Sequence, residues 1–172
     1  MKIIIDNREK KELPFARFES MRGTLQSGDY SIEGLEHRFA VERKSISDLV
    51  GSLTSGRERF ERELHRLRGF DFARLLIIGT EADITNHRYR SKASPKSILH
   101  SLYAFEARYG IPAVWGGSES RSAALVERWA FWYAREVSRA AEAVSVNQMP
   151  LITVPKPEGA SGDRLQRAKL PP

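Results

Sequence analysis

Gly28-Asp29-Tyr30-Ser31-Ile32-Glu33-Gly34-Leu35-Glu36-His37-Arg38-Phe39-Ala40-Val41-Glu42-Arg43-Lys44-Ser45-Ile46-Ser47-Asp48-Leu49 changes character after Lys44. Before that point, Tyr30–Ile32 and Phe39–Arg43 read as two strands around the turn-like segment Gly34-Leu35-Glu36-His37, a β-hairpin. After it, Ile46, Leu49, Val50 and Leu53 fall at i, i+3, i+4 and i+7, a helical stripe that stops near Ser55-Gly56. A symmetric hairpin centred on Leu35-Glu36 sets Asp29 opposite, or nearly opposite, Glu42. Glu42 and Lys44 are two apart on a strand and so share a face. Two carboxylates and one ammonium are therefore expected on a single patch.

The periodicity extends this pattern in both directions. Upstream, Lys2–Ile5 is a short β-branched run that reads as a buried first strand, and Arg22–Ser27 as a second. Downstream, Phe60, Leu64 and Leu67 mark a second helix ending at Gly69, and Arg74–Ile78 is another buried strand. Ser94-Pro95 signals a helix start, with Ser as cap and Pro as first residue. That helix runs to Tyr109-Gly110, and Pro112–Trp115 reads as a further strand. An Ala-rich helix spans Ala123 to about Val146, with Leu125, Trp129 and Trp132 expected in the core. Gly116-Gly117-Ser118 before it reads as a turn and cap. The order of elements implies an α/β domain with a mixed sheet.

Residues 1–147 form the expected folded domain, and 148–172, rich in Pro and Gly, a disordered basic tail. With 28 Lys+Arg against 22 Asp+Glu in 172 residues, the net charge is +6. That balance suits a nucleic-acid partner. The absence of cysteine excludes disulfides, thiolate metal sites and a Cys nucleophile. His37, His65, His87 and His100 lack ligand spacing. The longest aliphatic run, Leu75–Ile78, is far short of the ~20 residues a membrane span needs. The N-terminal apolar stretch is too short for a signal peptide. An intracellular protein, cytoplasmic or nuclear according to host, is expected.

Paired carboxylates repel, and burying them together favours a cation between them. Mg²⁺ or Mn²⁺ prefers such oxygen donors, and a lysine beside it can position water or meet charge on a phosphate. Asp…Glu-x-Lys is thus a minimal kit for metal-dependent phosphodiester hydrolysis. Arg57, Arg59, Arg62, Arg66 and Arg68 are interleaved with Glu58, Glu61 and Glu63, which favours a salt-bridged face over a DNA track. Arg88, Arg90, Lys92 and Lys96 flank a loop with few acids and are candidates for phosphate contact.

Gly28-Asp29-Tyr30 … Val41-Glu42-Arg43-Lys44-Ser45-Ile46-Ser47-Asp48-Leu49 resembles the signature of the XPF/Mus-type structure-specific nucleases. Ile5-Asp6-Asn7-Arg8-Glu9 resembles that family's opening strand and Asp-x-Arg-Glu turn, and Ser52–Arg57 its Ser-Leu…Gly-Arg segment. The resemblance implies a restriction-endonuclease-like fold, a mixed central sheet flanked by helices. It implies Asp29 and Glu42 as metal ligands, Lys44 as catalytic lysine, and Asp6 as a further ligand or holder of a metal-bound water. Arg8, Arg43 and Arg57 resemble family arginines that contact phosphate or brace the carboxylates, with Asp48 orienting Arg43 or Lys44. Branched or flapped DNA is the implied substrate, in repair or recombination. Family members dimerise, which makes the C-terminal helices a candidate surface for a homodimer or heterodimer. Tandem helix-hairpin-helix and helicase segments of the family have no counterpart here, so selection is expected from the nuclease surface, the tail or a partner. Rival readings are a catalytically silent DNA-binding subunit of the same fold and a dimerisation module built on the aromatic helix.

Overall fold

A computed structural model of the protein describes residues 1–146. The expected tail 148–172 lies outside the described residues. Six strands form one mixed sheet: β1 (Ile3–Asp6), β2 (Ser20–Gly23), β3 (Tyr30–Ile32), β4 (Phe39–Ser45), β5 (Phe72–Ile78) and β6 (Ala113–Trp115), in the order β2-β1-β3-β4-β5-β6. β3 runs antiparallel to both neighbours, and the other adjacent pairs are parallel. The C-terminal ends of five strands therefore share one edge with the N-terminal end of β3. The chemistry-bearing residues collect at that edge.

Alternation along β4 divides the core in two. Ala40 faces the layer of α1 (Ile46–Leu53), α2 (Arg57–Leu67), α3 (Glu81–Thr85) and α4 (Pro95–Tyr109), where Leu49, Phe60, Leu64, Ile84, Leu102 and Phe105 pack. Phe39 and Val41 face α5 (Glu119–Val146), against Ala123, Val126 and Ala130. Glu42 and Lys44 share the Ala40 face; Arg43 shares the other. Burial on both faces explains why β1 and β5 read as continuous aliphatic runs rather than alternating ones.

The hairpin register is the expected one, with Tyr30 paired to Val41. Other boundaries moved. The second strand occupies Ser20–Gly23 instead of Arg22–Ser27, because the Leu25 amide donates to Asp6 and its carbonyl accepts from Arg8, leaving neither for a ladder. Gly23 ends the strand where a Cβ would lie 2.8 Å from Ile4 Cγ2. Helix α3 carries too short a pattern to be read in advance. Helix α5 begins one turn before Ala123, where Ser118 Oγ accepts from the Arg121 amide at 3.2 Å, a cap as the glycine turn suggested. Trp132 is not in the core. Tyr133, one turn beyond Trp129, packs on Phe39 and Phe72 in its place, and Trp132 is 56% exposed. Trp132 lies on the far side of the helix from the buried Val126 and Ala130 stripe.

Candidate active site

The ladder between β3 and β4 builds the centre of the site. The Asp29 amide donates to the Val41 carbonyl at 2.9 Å, and the Arg43 amide donates to Asp29 Oδ2 at 2.7 Å. The Asp29 carboxylate is thereby fixed beside Glu42. Gly28 makes this approach possible: its φ is +81°, and a Cβ there would meet the Val41 carbonyl oxygen at 3.2 Å. Two residues along β4, Lys44 Nζ donates to Glu42 Oε1 at 2.9 Å. These three side chains line one cleft of about 530 Å³. Its other walls come from Arg8, Glu9, Lys10 and Lys11 after β1, from Ser47, Asp48, Gly51 and Ser52 of α1, and from Ser55, Gly56 and Arg59.

Carboxylates outnumber cations at the centre. Burial pushes Asp29 up to about 6, with the Arg43 amide opposing and the charge of Glu9 adding to the rise. Burial and the charge of Asp29 hold Glu42 well above the usual carboxylate range, and Lys44 only partly offsets this. For Lys44, burial favours the neutral amine, but Glu42 and Glu63 outweigh it and its pKa rises. In the metal-free site Lys44 is thus held as the ammonium by Glu42 and Glu63. Half-buried Asp29 and buried Glu42, of which only Glu42 pairs with Lys44, form a donor set short of positive charge. A hard divalent cation fits that deficit. No cluster of three or more His, Cys, Asp or Glu side chains with metal-binding geometry is found among the described residues. An ion on Asp29 and Glu42 would complete its shell with water or phosphate oxygens, as Mg²⁺ commonly does.

Asp6 stands beside the site with its lone pairs occupied. Oδ1 accepts from Arg8 Nε at 2.6 Å and the Arg8 amide at 2.9 Å; Oδ2 accepts from the Leu25 amide at 2.8 Å and an Arg8 terminal nitrogen at 3.2 Å. Burial alone would raise this carboxyl, yet the Arg8 guanidinium and the two amides hold it below the usual range. Its effect is to brace Arg8, which is 71% exposed and lines the cleft. Asp48 closes a cap instead of reaching Arg43 or Lys44: Ser45 Oγ donates to Asp48 Oδ2 at 2.6 Å and accepts from the Asp48 amide at 3.2 Å.

Arg43 contributes its backbone to the site, while its guanidinium turns to the α5 face. There a terminal nitrogen lies 3.6 Å from Glu119 Oε1, and Nε is buried with no hydrogen-bond partner among the described residues. Arg57 packs its guanidinium over the Phe105 ring at 4.4 Å, near Glu61 and Ser101. Arg88 pairs with Asp83 at 3.2 Å. Arg88, Arg90, Lys92 and Lys96 fall between the end of β5 and the first turn of α4, at the site's edge of the sheet but outside the cleft lining. The basic residues that rim the cleft are Arg8, Lys10, Lys11 and Arg59. Sequence reading passed over Lys10 and Lys11, which carry no pattern of their own, and set Arg59 in a salt-bridged face, whereas it lines the cleft. It set Glu63 in the same face, whereas its Oε2 lies 3.3 Å from Lys44 Nζ. Glu63 does have a signal: it sits at i+3 from Phe60, on the inward stripe of α2.

A family model described as the ERCC4 domain matches residues 5–128. Among solved structures, XPF from Aeropyrum pernix superposes with a TM-score of 0.64 at 24% identity, over 83% of this chain and 69% of that chain. The same protein solved in complex with DNA superposes with a TM-score of 0.62 at 22% identity, over 78% of this chain and 66% of that one. These two likenesses show a shared fold. No curated protein matches this chain. The family match runs from β1 into α5 and takes in every residue that lines the cleft, and on that ground the chain belongs to the ERCC4 domain family, the structure-specific DNA nucleases that include XPF.

Proposed function

We propose that this protein is a metal-dependent DNA endonuclease that hydrolyses the phosphodiester backbone at the Asp29–Glu42–Lys44 cleft. The placement of half-buried Asp29 and buried Glu42 side by side in one cleft, with Lys44 bonded to Glu42, carries this reading. Asp29 and Glu42 would hold Mg²⁺ or Mn²⁺, which when bound would supply Lewis acidity toward phosphate and water. Lys44, as the ammonium, orients the attacking water and meets negative charge that builds on the phosphoryl oxygens. Arg8, held in place by Asp6, grips a phosphate oxygen with its exposed guanidinium. The Arg43 amide fixes Asp29. DNA lies across the rim of Lys10, Lys11 and Arg59, and the segment with Arg88, Arg90, Lys92 and Lys96 extends the basic surface along the same edge.

Branched, flapped or junction DNA is the proposed substrate, in repair or recombination. The DNA complex of the A. pernix protein supports a nucleic-acid ligand for this fold. The exposed Phe131 and Trp132 of α5, whose rings meet edge to face at 5.3 Å, support association with a second subunit through the C-terminal helix. No described helix is long and apolar enough to cross a membrane.

The deciding experiment uses end-labelled 3′-flap, fork, four-way junction and plain duplex DNA with Mg²⁺, Mn²⁺ or EDTA, beside an Asp29→Asn, Glu42→Gln double variant. Metal-dependent cutting that the variant loses is the expected result. Binding without cutting, equal in both proteins, would overturn it in favour of a silent subunit.

A further inference from the structure

Glu63 sets a carboxylate on the inward stripe of α2, beside Phe60, Leu64 and Leu67, where a charge is unfavourable unless paired. Its partner is Lys44. The ammonium is held from three sides: Glu42 Oε1 at 2.9 Å, Glu63 Oε2 at 3.3 Å, and the Phe60 ring with its centroid at 4.7 Å. Two of those three contacts come from α2. Glu63 does not line the cleft, and its carboxyl lies within hydrogen-bonding reach of Glu42 as well as of Lys44.

This arrangement resolves a conflict within the proposed site. Glu42 cannot serve Lys44 and a divalent ion equally, because the two cations repel and compete for one carboxylate. With Glu42 as its sole counter-ion, Lys44 would have to give up its charge partner whenever the ion arrived. Glu63 supplies a second partner. We propose that Glu63 is a positioning residue that shares Lys44 with Glu42, so that the lysine keeps a partner and its aim when Glu42 takes a divalent ion. The proposal rests on the metal reading above and assigns α2 a part in it.

The test is Mn²⁺ binding to the full chain without DNA, followed by the paramagnetic resonance signal of free Mn²⁺. Four proteins are compared: the unaltered chain, Glu63→Ala, Lys44→Met and the double variant. Glu63→Ala is expected to raise the Mn²⁺ Kd about tenfold, and by about twofold or less when Lys44 is already methionine, a coupling of the size seen between contacting residues. Glu63→Gln, which keeps an acceptor oxygen and the same volume, is expected to raise Kd less than Glu63→Ala. It also serves as the probe if the alanine variant fails to fold. An unchanged Kd, or an equal loss in both Lys44 backgrounds, would overturn the role of Glu63 and leave the metal site standing. No Mn²⁺ binding by the unaltered chain would overturn both.

Discussion

Asp29 and Glu42 store repulsion that a cation or a proton relieves, and the sign of that effect is testable. Asp29 is held near 6 in the fold against an ordinary value of 3.8. A raised carboxyl contributes stability that is fully present below the unfolded value and is lost as pH climbs through the folded one. In EDTA, therefore, the unaltered chain should lose stability relative to Asp29→Asn between about pH 4 and about pH 7. Saturating Mg²⁺ should remove most of that difference. Thermal midpoints across the series provide the measurement, and parallel curves for the two proteins would contradict the assignment. Glu42, shifted in the same direction, yields a second expectation. Glu42→Gln should raise the metal-free midpoint at neutral pH by about 3 °C while abolishing cleavage, a gain in stability at the expense of function.

At the scale of elements, the site depends on short pieces of chain held by a few bonds. The connection after β1, which brings Arg8, Lys10 and Lys11 to the cleft, is anchored from the other side of the molecule by Glu127 of α5. Its buried Oε1 accepts from the amides of Ala16, Arg17 and Phe18 at 2.9, 2.6 and 3.3 Å. Glu127→Ala leaves three donors without their acceptor and should cost about 3 kcal/mol in urea unfolding. Glu127→Gln, which keeps one oxygen, should cost less. The turn into β3 is the second fragile element. Gly28→Ala forces a side chain into a φ of +81° against the Val41 carbonyl, and should destabilise by about 1–2 kcal/mol. Because the same turn aims Asp29, Mn²⁺ affinity should fall with it. An alanine variant that keeps full affinity would show that Asp29 is positioned by its bond to the Arg43 amide alone.

Across the whole molecule, α5 buries one stripe on the sheet and turns Phe131 and Trp132 to the outside, at 44% and 56% exposure. Adjacent exposed aromatic rings on one helix favour association. Replacing both with serine should shift the protein toward monomer in light scattering while leaving the thermal midpoint within about 2 °C, since neither ring is in the core. A large fall in the midpoint would instead show that these rings stabilise the fold.

The sequence by itself determined the mixed α/β class, the hairpin register and the nearness of Asp29, Glu42 and Lys44 to one another. Each rests on local rules: aliphatic runs for β1 and β5, the Gly34–His37 turn, the alternation that puts Glu42 and Lys44 on one face, and the Ser94-Pro95 start of α4. It did not determine which further charges meet that triad. Arg57 and Glu63 lie on the same helix, yet Arg57 packs on Phe105 while Glu63 reaches Lys44. Asp6 carries a motif that implies a metal ligand or a holder of metal-bound water, and its bonds to Arg8 and to the Leu25 amide came only with the fold. Trp132 and Tyr133 are neighbours, and only the line of contact with the sheet decides which one is buried. Periodicity assigns a residue to a face of its own element. Only the docking of α2, α5 and the loop after β1 decides what that face meets, because those partners are far away in the chain and are brought there by burial of the two cores.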